Sequence, residues 1–325
     1  MAIMPHRNAG EALGAALLFD IPFWPQLPNI RFAEDSYVQT ARGFPGILVD
    51  ESEHRLTWDE ERFLAELEEY ISYGAEDSFF GIAPEDSLTY PLFLREALAD
   101  RPAIRGQLMG PISFCLKVVD KEKKPIIYRD DVRELAITHI ARKVNRQLAE
   151  LRALNPRAFV WVDEPGLEIL FSGITGYASD RAREDMMAFL GLLDGPRAVH
   201  LCGNPDWDFL LRADLDLLSF NAFGCGTIFA GYPGSVQDFL ARGSTICWGI
   251  VPTNAPDLTG WEAGRLAAEL RSIWDTLAER GVAPELLRAQ YLITPATCCL
   301  VNPDLTASVD RAFAMTIEVS RLLRS

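Results

Sequence analysis

The chain has 325 residues, 49% of them apolar, and a formal net charge of −15. This negative charge disfavours binding to nucleic acid or to an anionic membrane surface, because both are themselves negatively charged. No apolar run is long enough to predict a transmembrane helix, and the first residues lack the apolar core and cleavage site of a signal peptide. Six cysteines in a chain of this length do not indicate a disulfide framework, so we expect a cytoplasmic protein with thiols available for metal.

Eight short apolar runs predict strands, and amphipathic segments between most of them predict helices. Near-continuous apolar runs are typical of strands buried on both faces of a parallel sheet. The predicted strands cover 14–20, 46–51, 104–110, 159–164, 198–202, 217–221, 245–250 and 290–294. The clearest helical patterns cover 56–73, 130–154, 180–193, 260–280 and 304–323. Repeated alternation of strand and helix predicts an α/β fold, a (β/α)8 TIM barrel, and the even composition predicts a single domain over 1–325.

The segment 21–45, between the first two predicted strands, is rich in proline and aromatic residues and predicts a long loop. Within it, Trp24 stands between Phe23 and Pro25 and offers a wall against which a flat substrate could stack. Aromatic residues followed by proline more often pack against a barrel rim, so both interpretations of Trp24 stay open.

Acidic residues follow two predicted strands at the end where TIM barrels hold their catalytic groups. Asp50 and Glu51 end the second strand, and Asp163 and Glu164 end the fourth. Asp50, Glu51 and Asp163 are candidates for substrate binding, and Asp163 and Glu164 are candidates for catalytic residues. Asp163 and Glu164 could also act as the acid and base of a metal-free lyase. Glu164 has a structural alternative, in which it holds a backbone amide at the strand end.

A histidine and a cysteine end the fifth predicted strand, and two cysteines follow the eighth. His200 and Cys202 are two residues apart, so in an extended chain their side chains point to the same side. Because barrel strand ends converge around one axis, Cys298 or Cys299 comes within reach of that pair. Imidazole and thiolates are ligands that zinc prefers. The pattern predicts a zinc site, against the alternative of a core histidine beside a buried cysteine.

Five segments in register along the chain carry a resemblance to a known family. They are 109–113 (MGPIS), 162–167 (VDEPGL), 200–202 (HLC), 216–221 (DLLSFN) and 294–300 (TPATCCL). In this order they resemble the G-P-[VI]-[ST], I-D-E-P-A-L, H-x-C, D-x-[IL]-S-[IF]-E and P-D-C-G-L motifs of the catalytic barrel of cobalamin-independent methionine synthase. That barrel belongs to the uroporphyrinogen-decarboxylase-like superfamily of zinc thiol methyltransferases. Each motif is weak alone, and the five together indicate the superfamily and its TIM-barrel fold.

The resemblance implies that His200, Cys202 and a thiolate from the 298–299 pair bind Zn²⁺. The family's glutamate ligand falls on Asn221, which offers a neutral carbonyl oxygen in place of a carboxylate. The final motif is one residue longer than in the family, so either Cys298 or Cys299 fits it. The fourth ligand stays open between Asn221, Cys225 and the second cysteine of the pair, with a helix cap as the structural alternative for Asn221.

The function that the resemblance implies is transfer of a methyl group to a thiol, with homocysteine as the expected acceptor and methionine as the product. Asp163 would bind the amino group of such an amino-acid thiol, with Asp50, Glu51 and Trp24 also near the substrate. The folate-dependent synthase has two barrels and this chain has room for one, so a corrinoid protein or another donor is expected. The alternatives are a non-catalytic zinc- or corrinoid-binding homologue and a methyltransferase acting on a different thiol.

Overall fold

The computed structural model of the chain describes residues 3–171 and 176–324 and divides into two compact units. The amino-terminal unit comprises residues 6–194, and the carboxy-terminal unit comprises residues 195–325 together with the first five. None of the described helices is both long and apolar enough to cross a membrane. The prediction of a single domain over 1–325 stays a prediction.

The amino-terminal unit contains a hairpin, a pair of parallel strands and eight helices among its described residues. Its strands are β1 (Ile47–Asp50), β2 (Arg55–Trp58), β3 (Ile104–Met109) and β4 (Ala158–Asp163). Its helices are α1 (Ala9–Ala16), α2 (Ser36–Ala41), α3 (Glu60–Tyr73), α4 (Tyr90–Phe93), α5 (Pro111–Lys117), α6 (Asp130–Arg152), α7 (Gly166–Phe171) and α8 (Ser179–Gly191). Short 3₁₀ turns lie at Phe32–Glu34, Asp77–Phe80 and Ile126–Tyr128.

The core of this unit lies where α6 packs on β3 and β4, which run parallel with every residue buried. Gln147 on α6 fixes the contact, because its side chain accepts from the Gln107 N–H at 3.0 Å and donates to the Gln107 carbonyl at 3.2 Å. Gly106 makes room for it, since a Cβ there would lie 1.6 Å from the Gln147 Oε1. The backbone of β3 therefore approaches α6 more closely than any other residue type at position 106 would allow.

The carboxy-terminal unit repeats strand and helix around four parallel strands that pair in sequence order. The strands are β5 (Arg197–Leu201), β6 (Leu217–Phe220), β7 (Thr245–Val251) and β8 (Tyr291–Pro295). The helices are α9 (Trp207–Arg212), α10 (Ala222–Phe229), α11 (Pro233–Ala241), α12 (Ala255–Gly260), α13 (Ala263–Glu279), α14 (Pro284–Ala289) and α15 (Ala307–Arg324). Parallel strands place their carboxyl ends at one edge, so residues after β5, β6 and β8 can meet there.

Six of the eight predicted strands are confirmed as parallel strands, each within one residue at either end. The first prediction is wrong, because its initial residues lie in α1, whose start is capped by Asn8 accepting from the Gly10 and Glu11 N–H groups. The second, at 46–51, is a strand but pairs antiparallel with β2 as a hairpin. The described residues thus form an α/β fold with six parallel strands, and they do not show a closed (β/α)8 barrel.

Candidate metal site

His200, Cys202 and Cys298 come together in the carboxy-terminal unit. His200 lies in β5, Cys202 directly follows that strand, and Cys298 lies three residues beyond β8. The His200 Nε2 is 3.3 Å from the Cys202 Sγ, which is 3.6 Å from the Cys298 Sγ. All three potential ligand atoms lie within 4.8 Å of one another, and His200 is buried while both cysteines are partly exposed.

The segment that carries Cys298 is held on both sides by backbone hydrogen bonds. The Ile3 N–H donates to the Cys298 carbonyl at 3.1 Å, and the Leu300 N–H donates to the Ile3 carbonyl at 2.9 Å. One residue before Cys298, the Thr297 hydroxyl is 2.7 Å from that of Thr253. The position of the Cys298 backbone is therefore set by the rest of the unit.

The geometry of the three groups fits a tetrahedral zinc ion. Zinc binds sulfur at about 2.3 Å and imidazole nitrogen at about 2.0–2.1 Å, so two ligand sulfurs are about 3.8 Å apart and a sulfur and a nitrogen about 3.5 Å. The observed separations of 3.6 Å and 3.3 Å are close to these values. The donor set of one imidazole and two thiols also matches zinc's preference for nitrogen and sulfur. This triad, His200, Cys202 and Cys298, leaves a fourth position for another ligand.

The surroundings of Cys202 favour the thiolate form of its side chain. Its pKa is held well below the usual range, mainly by the hydrogen bond from the Cys298 thiol; burial opposes this shift, and the charge and hydrogen bond of His200 favour it. Because thiolate is the form that binds metal, this arrangement favours Cys202 as the thiol of the pair that loses its proton first.

Asn221 takes the position of a helix cap beside the triad. It precedes α10, its Oδ1 accepts from the Gly224 N–H at 2.9 Å, and its Nδ2 donates to the Cys202 carbonyl at 3.4 Å. Cys225 lies in α10 with its thiol directed at the Gly203 carbonyl, 3.8 Å away. Cys299 is exposed. Among the described residues, neither Cys225 nor Cys299 joins the triad as a potential ligand.

Glu164 is fully buried and accepts three hydrogen bonds at the start of α5. Its carboxylate accepts from the N–H groups of Ile112 and Ser113 at 3.0 and 2.8 Å, and from the Ser113 hydroxyl at 2.6 Å. Burial raises the pKa of Glu164 to about 7, while these hydrogen bonds act in the opposite direction. Gly110 leaves space for the carboxylate, since a Cβ there would lie 2.2 Å from the Glu164 Oε1. These contacts correspond to the structural alternative for Glu164.

Asp163 is buried at the end of β4, and its backbone carbonyl accepts from the Gly110 N–H at 2.9 Å. Asp50 is the last residue of β1, and its Oδ1 accepts from the N–H groups of Ser52 and Glu53 and from the Ser52 hydroxyl in the hairpin turn. Glu51 is exposed and lines an open cavity of about 650 Å³ in the amino-terminal unit. The expectation that Asp50 and Glu51 stand at the end of a parallel strand is wrong, because β1 belongs to a hairpin.

The prediction of Trp24 as a wall for a substrate is wrong. Trp24 is fully buried, its Nε1 donates to the Gln147 Oε1 at 3.3 Å, and its ring meets Tyr90 edge to face at 5.1 Å. An indole buried among such partners is part of the core, in agreement with the packing alternative.

One residue of the site had no role assigned from the sequence. The Ser219 hydroxyl lies 2.9 Å from the His200 Nδ1, and both residues are buried. The available signal in the sequence was its place two residues before Asn221 in the predicted strand 217–221, since alternate residues of a strand point to one face.

No protein-family model matches the chain, and no curated protein matches it either. Among solved structures, it is similar to a B12-independent methionine synthase from Shewanella sp. W3-18-1 in complex with selenomethionine, with 14% identity, a TM-score of 0.52, and coverage of 97% of this chain and 89% of that one. A protein from Listeria monocytogenes described as a "putative vitamin-B12 independent methionine synthase" matches with 13% identity, a TM-score of 0.46, and coverage of 72% and 67%. At this identity the Shewanella likeness shows a shared fold.

Proposed function

We propose that the protein is a zinc-dependent methyltransferase that moves a methyl group to a thiol, with homocysteine as acceptor and methionine as product. The observation that carries the proposal is the triad of one imidazole and two thiols within 4.8 Å. The shared fold with a methionine synthase supports it. Bound zinc supplies Lewis-acid chemistry, since it favours the thiolate form of a substrate thiol and fixes its direction.

The triad sets the charge of the site. If His200, Cys202 and Cys298 held Zn²⁺, two thiolates and a neutral imidazole would balance its two positive charges. A carboxylate as a further ligand would make the site anionic, whereas Asn221 carries no charge, and its Oδ1 is already used by the Gly224 N–H. In the reaction, the acceptor thiol loses its proton to solvent, a sulfur–methyl bond forms, and the donor–methyl bond breaks with its electron pair left on the donor.

We assign binding of the acceptor's amino group to Asp163, which carries a carboxylate in a buried strand end. Such a group could pair with an ammonium at low local dielectric. The methyl donor is proposed to be a corrinoid protein or another donor that is not a polyglutamyl folate. Both assignments rest on the resemblance of 162–167 and of the whole chain to the family.

Zinc content and thiol methylation, measured on the same preparation, test the proposal. We expect about one zinc per chain after metal supplementation and transfer of methyl from methylcobalamin to homocysteine. Cys298→Ser should lose both, while Cys299→Ser should keep both, because Cys299 lies outside the triad. Equal loss in the two variants would contradict the ligand assignment. Absence of zinc from wild-type protein after supplementation would refute the function.

A non-catalytic zinc-binding homologue is the second candidate, favoured by the neutral Asn221 at the position of the family's glutamate. It would retain zinc through the triad but show no turnover with any donor and thiol. Stoichiometric zinc without methylation of homocysteine, or of other small thiols, would select this candidate.

A further inference from the structure

The His200 ring is held at both of its nitrogens. Ser219 on β6 is the register partner of His200 on β5, and its Oγ is 2.9 Å from the ring Nδ1. On the opposite side of the ring, Nε2 is 3.3 Å from the Cys202 Sγ. Because Ser219 is fully buried and His200 is 1% exposed, water does not compete for the hydroxyl contact.

A serine hydroxyl suits a histidine that must present Nε2 to a metal. Metal binds the unprotonated ring nitrogen, so a neutral imidazole that binds through Nε2 carries its proton on Nδ1 and donates it to an acceptor. Without metal, the proton can instead sit on Nε2, facing the Cys202 sulfur, and Nδ1 then needs a donor. A hydroxyl can donate or accept. Ser219 therefore satisfies Nδ1 in either tautomer, whereas a carboxylate there would favour only the N–H form.

We infer that Ser219 is a positioning residue that holds the His200 ring in one orientation, with Nε2 directed at the two thiols, in both tautomers. The inference rests on the proposed metal site but not on methyl transfer. Removing the hydroxyl leaves Nδ1 without its partner in a buried place and allows the ring to turn away from the thiols. Partners of this kind typically change metal affinity by about 10–100-fold.

Three variants test the inference. Ser219→Ala removes the hydroxyl and Ser219→Thr keeps it. Ser244→Ala is the matched control, because Ser244 is also a buried serine of this unit, and its hydroxyl donates to the Leu215 carbonyl at 2.8 Å. The readouts are zinc affinity by chelator competition and ¹⁵N NMR of histidine side chains in metal-free protein. We expect Ser219→Ala to bind zinc about 10–100-fold more weakly, with Ser219→Thr and Ser244→Ala within about threefold of wild type.

The NMR measurement separates positioning from general destabilisation. The His200 Nδ1 resonance should show a hydrogen-bonded nitrogen in wild type and Ser219→Thr, and lose that shift in Ser219→Ala. Zinc affinity of Ser219→Ala equal to wild type, or an equal loss in Ser244→Ala, would overturn the inference. Serine-dependent zinc binding without any thiol methylation refutes the proposed function and leaves the inference standing. Methylation of homocysteine together with a zinc affinity that does not change in Ser219→Ala supports the proposed function and overturns the inference about Ser219. A wild-type protein that takes up no zinc overturns both.

Discussion

Two buried histidines, His139 in α6 and His200 in β5, have opposite surroundings. His139 is enclosed by Phe44, Phe80 and Tyr70, with ring centroids 5.4, 5.4 and 5.8 Å away. Its Nδ1 lies 3.2 Å from the Tyr70 hydroxyl. His200 faces a hydroxyl on one side and a thiol on the other. The first ring has aromatic neighbours that offer none of the nitrogen or sulfur ligands that zinc prefers, and the second opens onto two thiols that do.

Burial alone therefore does not distinguish a structural polar residue from a candidate ligand. What distinguishes them is the identity of the partners. Glu164 is structural in the same sense as His139, because its carboxylate accepts hydrogen bonds from backbone and hydroxyl groups of α5. The triad differs from both, because its polar atoms face one another. Substitutions at His200, Glu164, His139 and Asn221 test this distinction.

His200→Gln should weaken zinc binding by more than about 100-fold, beyond the loss typical of an outer partner, because it removes one of three ligands. Chelator competition measures the affinity. The control is His54→Gln, which changes an exposed histidine of the hairpin turn and should leave zinc affinity unchanged. Zinc affinity in His200→Gln close to that of wild type would mean that the imidazole is not a ligand and that the two histidines are both structural.

Glu164→Ala should lower the free energy of unfolding by about 3 kcal/mol, because it leaves buried donors of Ile112 and Ser113 without an acceptor. Denaturant unfolding measures this, with Glu134→Ala on the exposed face of α6 as the control. If the Ala variant fails to fold, Glu164→Gln keeps one acceptor oxygen and should lose less. A folded Gln variant of wild-type stability that has lost methylation would instead assign Glu164 to catalysis.

The contribution of His139 to stability should depend on pH. Burial, with a smaller effect of Lys143, holds the pKa of His139 well below its usual value, so the folded state resists the proton that the unfolded chain accepts. Its stabilising contribution is therefore present above the unfolded pKa of about 6.5 and lost as pH falls below it, by up to about 1.4 kcal/mol per pH unit.

His139→Phe should remove this part of the pH dependence, which urea unfolding between about pH 7.5 and 5 measures. The exposed His54, changed to Gln, is again the control and should leave the slope as in wild type. An unchanged slope in His139→Phe would mean that His139 gains a proton in the folded protein. In that case His139 would not be the neutral, purely structural histidine that its aromatic surroundings indicate.

The sequence predicts most of the parallel strands because their apolar runs are too short for helices and lie between helical patterns. It fails at 14–20, where Gly14, Ala15 and Ala16 suit a helix as well as a strand and the cap at Asn8 decides the outcome. It fails at 46–51 because the partner strand Arg55–Trp58 overlaps residues assigned to a helix. In both places a local pairing or cap, rather than hydrophobic pattern, determines the structure.

The proximity of His200, Cys202 and Cys298 could be predicted from the sequence, because the carboxyl ends of parallel strands lie at one edge of the sheet. This prediction requires no knowledge of side-chain contacts. The roles of Trp24 and Asn221 do need such detail. A tryptophan beside proline can stack on a substrate or fill a core, and only its contacts with Gln147 and Tyr90 show which. Asn221 is a ligand or a cap according to whether its oxygen faces the thiols or the first turn of α10.

Of the four substitutions, Asn221→Glu should change zinc affinity and stability least. A carboxylate that reached the metal would add a ligand and tighten zinc binding. In the structure, however, the Asn221 oxygen accepts from the Gly224 N–H and its amide donates to the Cys202 carbonyl. We therefore expect zinc affinity within about threefold of wild type and a loss of stability of about 1 kcal/mol or less from the weakened cap. Asn221→Asp is the matched variant, because aspartate caps as well as asparagine. It keeps the acceptor for the Gly224 N–H but loses the donor to the Cys202 carbonyl, so its stability should be no higher than that of wild type. Tighter zinc binding in Asn221→Glu alone would show that the longer side chain leaves the cap for the metal, and that this position is one substitution away from being a ligand.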